Sequence, residues 1–173
     1  MNLYDSYAHE GTLGINLVKK ALRKYGGKTC IDIGCGLFER PAYMIPEIEW
    51  VGIDPDVSDH DFPYIQAEAE NLPFDNNCFD SVLFATSLDH VKDPQSAIKE
   101  AVRVVRPSGH IIVWITLRPR NKYYIWKRSG KWYDKKHPQA FIEESLLEIV
   151  PCKFVEKINI KWGVNIFVWT CTT

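Results

Sequence analysis

Residues 29–36, Thr-Cys-Ile-Asp-Ile-Gly-Cys-Gly, restrict the fold more than any other stretch of this chain. A five-residue apolar run that closes on two glycines, one residue apart, reads as a strand entering a tight turn. The pattern recurs. Trp50-Val-Gly-Ile-Asp54 is a second such run and ends on an acid. Residues 64–67 form a third, weaker one. Residues 80–85 form a fourth, with the continuous apolar centre of a strand buried on both faces. Residues 110–117 form a fifth, after a turn at 107–109.

Helical spacing fills the gaps. Leu13, Leu17, Val18, Ala21, Leu22 and Tyr25 mark an amphipathic helix over residues 12–25, stopped by Gly26-Gly27. Asp93-Pro94 supplies an N-cap and a first-turn proline for a helix running to about residue 105. Pro41 and Pro46 allow at most a short helix between residues 38 and 46. Residues 139–149 give a further helix. Residues 154–160 and 164–170, joined through Gly163, predict an antiparallel hairpin. Strands alternating with helices and ending in a hairpin predict an α/β, doubly wound, mostly parallel sheet with an antiparallel edge.

The 173 residues fit one domain, since domains usually run to roughly 100–200 residues. With 46% hydrophobic and 25% charged residues, the composition excludes a disordered or fibrous chain. No apolar run approaches the roughly 18 residues of a spanning helix. The polar, acidic start predicts no secretory signal. Five cysteines without a Cys-x-x-Cys pair argue against a disulfide framework or a zinc site and fit a reducing, cytoplasmic setting. No metal is expected.

The polar residues worth noting stand at strand ends, where open α/β sheets bind ligands. Gly34 and Gly36 follow the first strand, Asp54 the second, Glu68 the third, and Ala85-Thr86 the fourth. Glycines let a ligand lie against the backbone. An acid at the second strand end, 22 residues after Asp32, accepts both hydroxyls of a ribose, and a further acid accepts from an adenine amine. The order describes a nucleoside site. A dinucleotide-binding turn needs a third glycine where this chain has Glu39.

These residues resemble the class I S-adenosylmethionine-dependent methyltransferases, in their small-molecule, type 11-like branch. The matching pieces are Ile31-Asp-Ile-Gly-Cys-Gly36, Val51-Gly-Ile-Asp54, Glu68-Ala-Glu-Asn-Leu-Pro-Phe74, Phe79-Asp80, Leu88-Asp-His-Val-Lys-Asp-Pro94 and Val104-Val-Arg-Pro-Ser-Gly109. The resemblance implies a Rossmann-like, seven-stranded sheet whose last hairpin is antiparallel. It implies S-adenosylmethionine as cofactor and S-adenosylhomocysteine as product. Gly34 and Gly36 would pass close to the methionine part, with Asp32 ordering its ammonium and the Ala85 carbonyl facing it. Asp54 would hold the ribose. Glu68 and the Ala69 amide would hold the adenine. Where the family often places a third small residue, this chain has Leu37-Phe38-Glu39, and the segment that follows carries two prolines.

His90, just past the fourth strand, is the candidate general base, because histidine titrates near neutral pH. Residues 118–137 hold eight cations against Asp134 alone, a local +7 that leaves −8 for the rest of the chain. Five aromatics are interleaved with them. Trp126, Lys127, Arg128 and Trp132 are the candidate acceptor-binding residues. A field of that size attracts an anion. The expected partner is a small anionic acceptor, methylated on oxygen or nitrogen. RNA or a nucleotide is the second reading, since cations and aromatics also suit single strands. A cofactor-binding protein without turnover is the third.

The chain divides into an arm and helix (1–28), a cofactor-binding core (29–117), a basic aromatic cap (118–137) and a C-terminal helix and hairpin (138–173). Tyr4 and Tyr7 suit a lid at the arm. A monomer or a homodimer is expected, with no membrane partner.

Overall fold

The computed structural model describes residues 3–36, 40–56, 61–117, 141–160 and 164–172, with backbone alone for residues 3–11. A long helix, α1 (Leu3–Tyr25), leads into β1 (Thr29–Ile33), β2 (Glu49–Asp54), β3 (Tyr64–Gln66) and β4 (Phe79–Ala85). Then come α2 (Pro94–Val104), β5 (Val105–Thr116), α3 (Glu143–Ile149), β6 (Lys153–Asn159) and β7 (Val164–Thr170). The strands form one seven-stranded sheet in the order β3-β2-β1-β4-β5-β7-β6. Strands β1 to β5 pair in parallel. Strand β7 pairs antiparallel with both β5 and β6. The mostly parallel sheet with an antiparallel terminal hairpin is as expected. Strand order reverses between β1 and β4, which marks the topological switch point where such sheets bind ligands.

The two faces of the sheet bury separate cores. On one, Ile31, Ile33, Val82, Phe84, Ile111 and Val113 pack under α2 and α3. On the other, Cys30, Leu83, Ile112, Ile166 and Val168 pack under α1 through Val18, Ala21 and Leu22. Successive strand residues point to opposite faces, so the unbroken apolar run of β4 supplies both cores at once. The periodicity in residues 12–25 is this packed stripe of α1. The backbone stays helical back to Leu3, nine residues earlier than the apolar spacing shows.

Asp93 caps α2 by accepting from the amides of Gln95 and Ser96, and Pro94 occupies the first turn. The turn expected at 107–109 lies within β5 as an irregularity. Ser108 takes a left-handed φ of 67° there, and its amide donates to the Cys171 carbonyl. No helix forms among residues 40–48, which run through turns between the two prolines. Pro41 and Pro46 leave too few donors in sequence for one.

One expectation is corrected. Cys152 and Cys171 are joined by a disulfide, with their Cα atoms 4.8 Å apart. The cause is register. Lys153 faces Thr170 across the β6–β7 hairpin, so the residues just outside that pair, Cys152 and Cys171, stand opposite each other. Narrow antiparallel pairs bring Cα atoms to about 4.5 Å, within reach of a disulfide. Cysteine counting sees spacing along the chain and not strand register.

Among the described residues no helix is long and apolar enough to cross a membrane.

Candidate active site

The C-terminal ends of β1, β2 and β4 open into a cavity of about 860 Å³. Its floor is the turn after β1. Gly34 and Gly36 both adopt left-handed backbone, with φ of 76° and 74°. A Cβ on Gly34 would come within 2.4 Å of the Ser87 Cβ, so the space above the turn depends on glycine twice over. The amides of Gly34 and Cys35 both donate to the Ile53 carbonyl, at 2.7 and 3.1 Å, which ties the turn to β2. The Ser87 hydroxyl donates to the Ile33 carbonyl at 2.5 Å and ties β4 to the same turn.

Asp54 ends β2 and is nearly buried. Its Oδ2 accepts from the Gly36 amide at 2.9 Å and its Oδ1 from the Asp56 amide at 3.1 Å. Two backbone donors therefore fix the carboxylate at the cavity wall. Each carboxylate oxygen keeps a second lone pair for a ligand hydroxyl.

Asp32 is fully buried and is not part of the cavity lining. Its Oδ2 accepts from the Tyr43 hydroxyl at 2.7 Å, and Tyr43 does line the cavity. Its Oδ1 has no partner among the described residues. Burial pushes the Asp32 carboxyl up to about 7, against the Tyr43 hydrogen bond, with the nearby Asp54 charge adding to the rise. The same burial, with the neighbouring Asp32, raises the Tyr43 phenol well above its usual range.

Glu68, Ala69 and Glu70 line the opposite side of the cavity. The loop that carries them is clamped onto α2. Glu100 accepts from the Leu72 amide at 2.8 Å, and Arg103 donates to the carbonyls of Leu72 and Phe74 at 3.0 and 2.6 Å. Lys92 pairs with Glu68 at 2.7 Å, both partly or largely exposed. Such a surface pair is worth about 0–1 kcal/mol, so it yields readily to a ligand. The third wall comes from Ala85, Thr86 and Trp114, with Ile15 of α1 beside them. The Trp114 ring packs edge-on to Tyr43, with centroids 6.3 Å apart, and a Cβ on Gly14 of α1 would strike it at 2.5 Å. His90 also faces the cavity, with its Nε2 3.9 Å from Asp89 Oδ1.

The fold thus brings Gly34, Gly36, Asp54, Glu68, Ala69, Ala85 and His90 around one cavity, with Asp32 buried against it. Trp126, Lys127, Arg128 and Trp132 lie outside the described residues, as do the side chains of Tyr4 and Tyr7. Sequence reasoning missed Tyr43 and Trp114. Trp114 stands three residues from the end of a strand that reads as plain core, and Tyr43 sits in a stretch that reads as a proline-broken loop. Asp80 has a different place. It accepts from the amides of Lys28 and Thr29 and from Arg106, at the opposite ends of the strands. Its work is to lock β1 against β4.

The sequence profile of a methyltransferase domain matches residues 31–113, the stretch that supplies most of this cavity. Among curated proteins, the chain is similar to the ubiquinone/menaquinone biosynthesis C-methyltransferase of Idiomarina loihiensis. The two are 42% identical over 50 residues, covering 29% of this chain and 20% of that protein. It is also similar to the phthiotriol/phenolphthiotriol dimycocerosates methyltransferase of Mycobacterium leprae, 30% identical over 114 residues, covering 58% of this chain and 42% of that protein. The chain therefore spans less than half the length of these relatives. Among solved structures, the 1,6-didemethyltoxoflavin-N1-methyltransferase of Burkholderia thailandensis, with 1,6-didemethyltoxoflavin and S-adenosylhomocysteine bound, superposes with a TM-score of 0.71. That likeness, at 13% identity, covers 98% of this chain and 82% of the other, and it is one of fold. Residues 31–113 thus match the methyltransferase-domain family, and the seven-stranded sheet with its antiparallel terminal hairpin is the fold of solved methyltransferases.

Proposed function

We propose that this protein transfers a methyl group from S-adenosylmethionine to a small anionic acceptor. The carrying observation is the Asp54 carboxylate, held by the Gly36 and Asp56 amides beside a glycine turn in which a Cβ on Gly34 would strike Ser87. A fixed, nearly buried acceptor of this kind suits a ribose diol. The unpartnered Oδ1 of buried Asp32 is a second fit, since it needs a donor and favours a cationic one. Gly34 and Gly36 leave room for the chain between sulfur and amino group. Glu68 and the Ala69 amide, held by the Arg103 clamp, suit the adenine edge.

When bound, S-adenosylmethionine supplies an already activated methyl on a sulfonium. What remains for the protein is positioning and exclusion of water. Tyr43, Trp114 and Ile15 give an apolar wall on the side where the acceptor would enter. The described lining sets Arg40 and Lys92 against Asp54, Asp56, Glu68 and Glu70, so the attraction of an anion rests on the +7 of residues 118–137. His90, which lines the cavity, would receive a proton from an acceptor hydroxyl. The interleaved cations and aromatics of that segment favour RNA or a nucleotide as the second acceptor class.

Equilibrium binding of S-adenosylhomocysteine, followed by turnover on phosphorylated, nucleotide-linked, carboxylated and neutral compounds alongside RNA, tests the reading. Preference for a neutral compound contradicts the anionic acceptor. Cofactor binding with no turnover on any of them turns the reading into that of a binding protein.

A further inference from the structure

The two prolines that depart from the family pattern have a structural consequence. With Pro41 and Pro46 preventing a helix, residues 40–48 run as turns, and the Met44 amide bonds back to the Pro41 carbonyl at 3.0 Å. Met44 and Ile45 plug the α1-side core on the same stretch. The Trp50 indole N–H donates to the Ile45 carbonyl at 3.0 Å and pins it further. Tyr43 is carried on this anchored turn. Its ring packs edge-on to Trp114, and its hydroxyl reaches Asp32 Oδ2 at 2.7 Å. Ring and hydroxyl are thus both fixed, one against β5 and one against β1.

We propose that Tyr43 is a positioning residue that occupies one oxygen of Asp32 and so presents the other to the amino group of the cofactor's methionine end. The inference rests on the methyltransferase reading above. A buried carboxylate with two unsatisfied oxygens could turn either toward a ligand or take a proton. With Oδ2 engaged by a neutral phenol, only Oδ1 is left for a cation, and that bond favours the ionised form against the burial that opposes it. The groups that face Asp32 among the described residues are Tyr43, Asp54 of β2, and the thiols of Cys30 and Cys35. Burial raises both thiols, Cys35 to about 12, so neither ionises near neutral pH. The Tyr43 hydrogen bond lowers the Asp32 carboxyl and the Asp54 charge raises it.

Calorimetry with two probes separates positioning from general damage. S-adenosylhomocysteine carries the amino-acid end, whereas 5′-methylthioadenosine has the nucleoside and lacks it. In Y43F the ring and its packing remain while the hydroxyl is gone. Because Asp32 is then less often ionised and less well oriented toward the amino group, Y43F is expected to weaken S-adenosylhomocysteine by about tenfold and 5′-methylthioadenosine by less than twofold. The pH at which affinity for S-adenosylhomocysteine rises should also move upward in Y43F, because Asp32 has lost the bond that favours its charge. Equal weakening of both probes, or no change in either, overturns the proposal. Should Y43F fail to fold, wild-type protein decides. Affinity for S-adenosylhomocysteine must rise between pH 6 and 8 while that for 5′-methylthioadenosine stays flat, and parallel curves overturn it. If wild-type protein binds neither probe, the methyltransferase reading itself falls, and this inference with it.

Discussion

The Gly36 amide donates to Asp54 Oδ2 at 2.9 Å, joining the turn after β1 to the end of β2 across 18 residues. This bond links the two features proposed to hold the nucleoside. The glycine turn exposes an amide because it has no side chain to cover it, and the acid is oriented by that amide. Removal of either partner should therefore be felt in binding before it is felt in folding.

Asp54→Ala is expected to weaken S-adenosylhomocysteine by tenfold or more, since it removes charge-assisted hydrogen bonds worth roughly 1.5–3 kcal/mol each. Circular dichroism should be unchanged. An unaltered dissociation constant in a folded variant places the ribose elsewhere.

Gly34→Ala carries two penalties, a left-handed φ of 76° and a Cβ 2.4 Å from that of Ser87. Backbone strain and overpacking each cost about 1–3 kcal/mol. Urea denaturation should show a loss of at least about 2 kcal/mol. Adding Ser87→Gly should return the steric part, less the Ser87–Ile33 hydrogen bond that it removes, and leave the backbone part. A single variant as stable as wild type contradicts the geometry of the turn.

Asp32 makes stability depend on pH in a set direction. Its carboxyl stands at about 7 in the folded protein, above the ordinary 3.8 of the unfolded chain, so folding favours the protonated form. That contribution is fully present below the unfolded value and is lost as pH rises from about 4 through about 7. Wild-type stability relative to Asp32→Asn should fall with rising pH across that window, with a slope no steeper than about 1.4 kcal/mol per pH unit. A difference that is flat from pH 4 to 8 means that Asp32 is not buried as described.

The basic segment should govern acceptor kinetics and not cofactor affinity. Lys127→Glu with Arg128→Glu is expected to raise the acceptor's KM while leaving the S-adenosylhomocysteine dissociation constant within twofold. The wild-type rate should fall with added salt, because exposed charges are screened over about 8 Å at physiological ionic strength. Kinetics indifferent to both salt and charge reversal identify the segment as a solvated loop.

Most of the sheet was legible in the sequence because its strands are short apolar runs with glycine or an acid at their ends. The placement of Asp32, Gly34, Gly36 and Asp54 beside the cavity could be read for the same reason, since strand ends are marked. Tyr43 was not legible. Its place at the cavity depends on a turn between two prolines that Met44, Ile45 and Trp50 anchor. The Cys152–Cys171 bond was hidden likewise, because it depends on hairpin register. The start of α1 was hidden because residues 3–11 lack the apolar spacing that marks the rest of the helix.

The central claim is that the cavity at the β1–β4 switch point is a site for S-adenosylmethionine, and calorimetry of the wild-type protein tests it most directly. S-adenosylhomocysteine should bind with one-to-one stoichiometry and raise the melting temperature, because a ligand that binds only the folded state stabilises it by mass action. NAD should give no heat and no shift. Tight binding of NAD with no binding of S-adenosylhomocysteine contradicts the account.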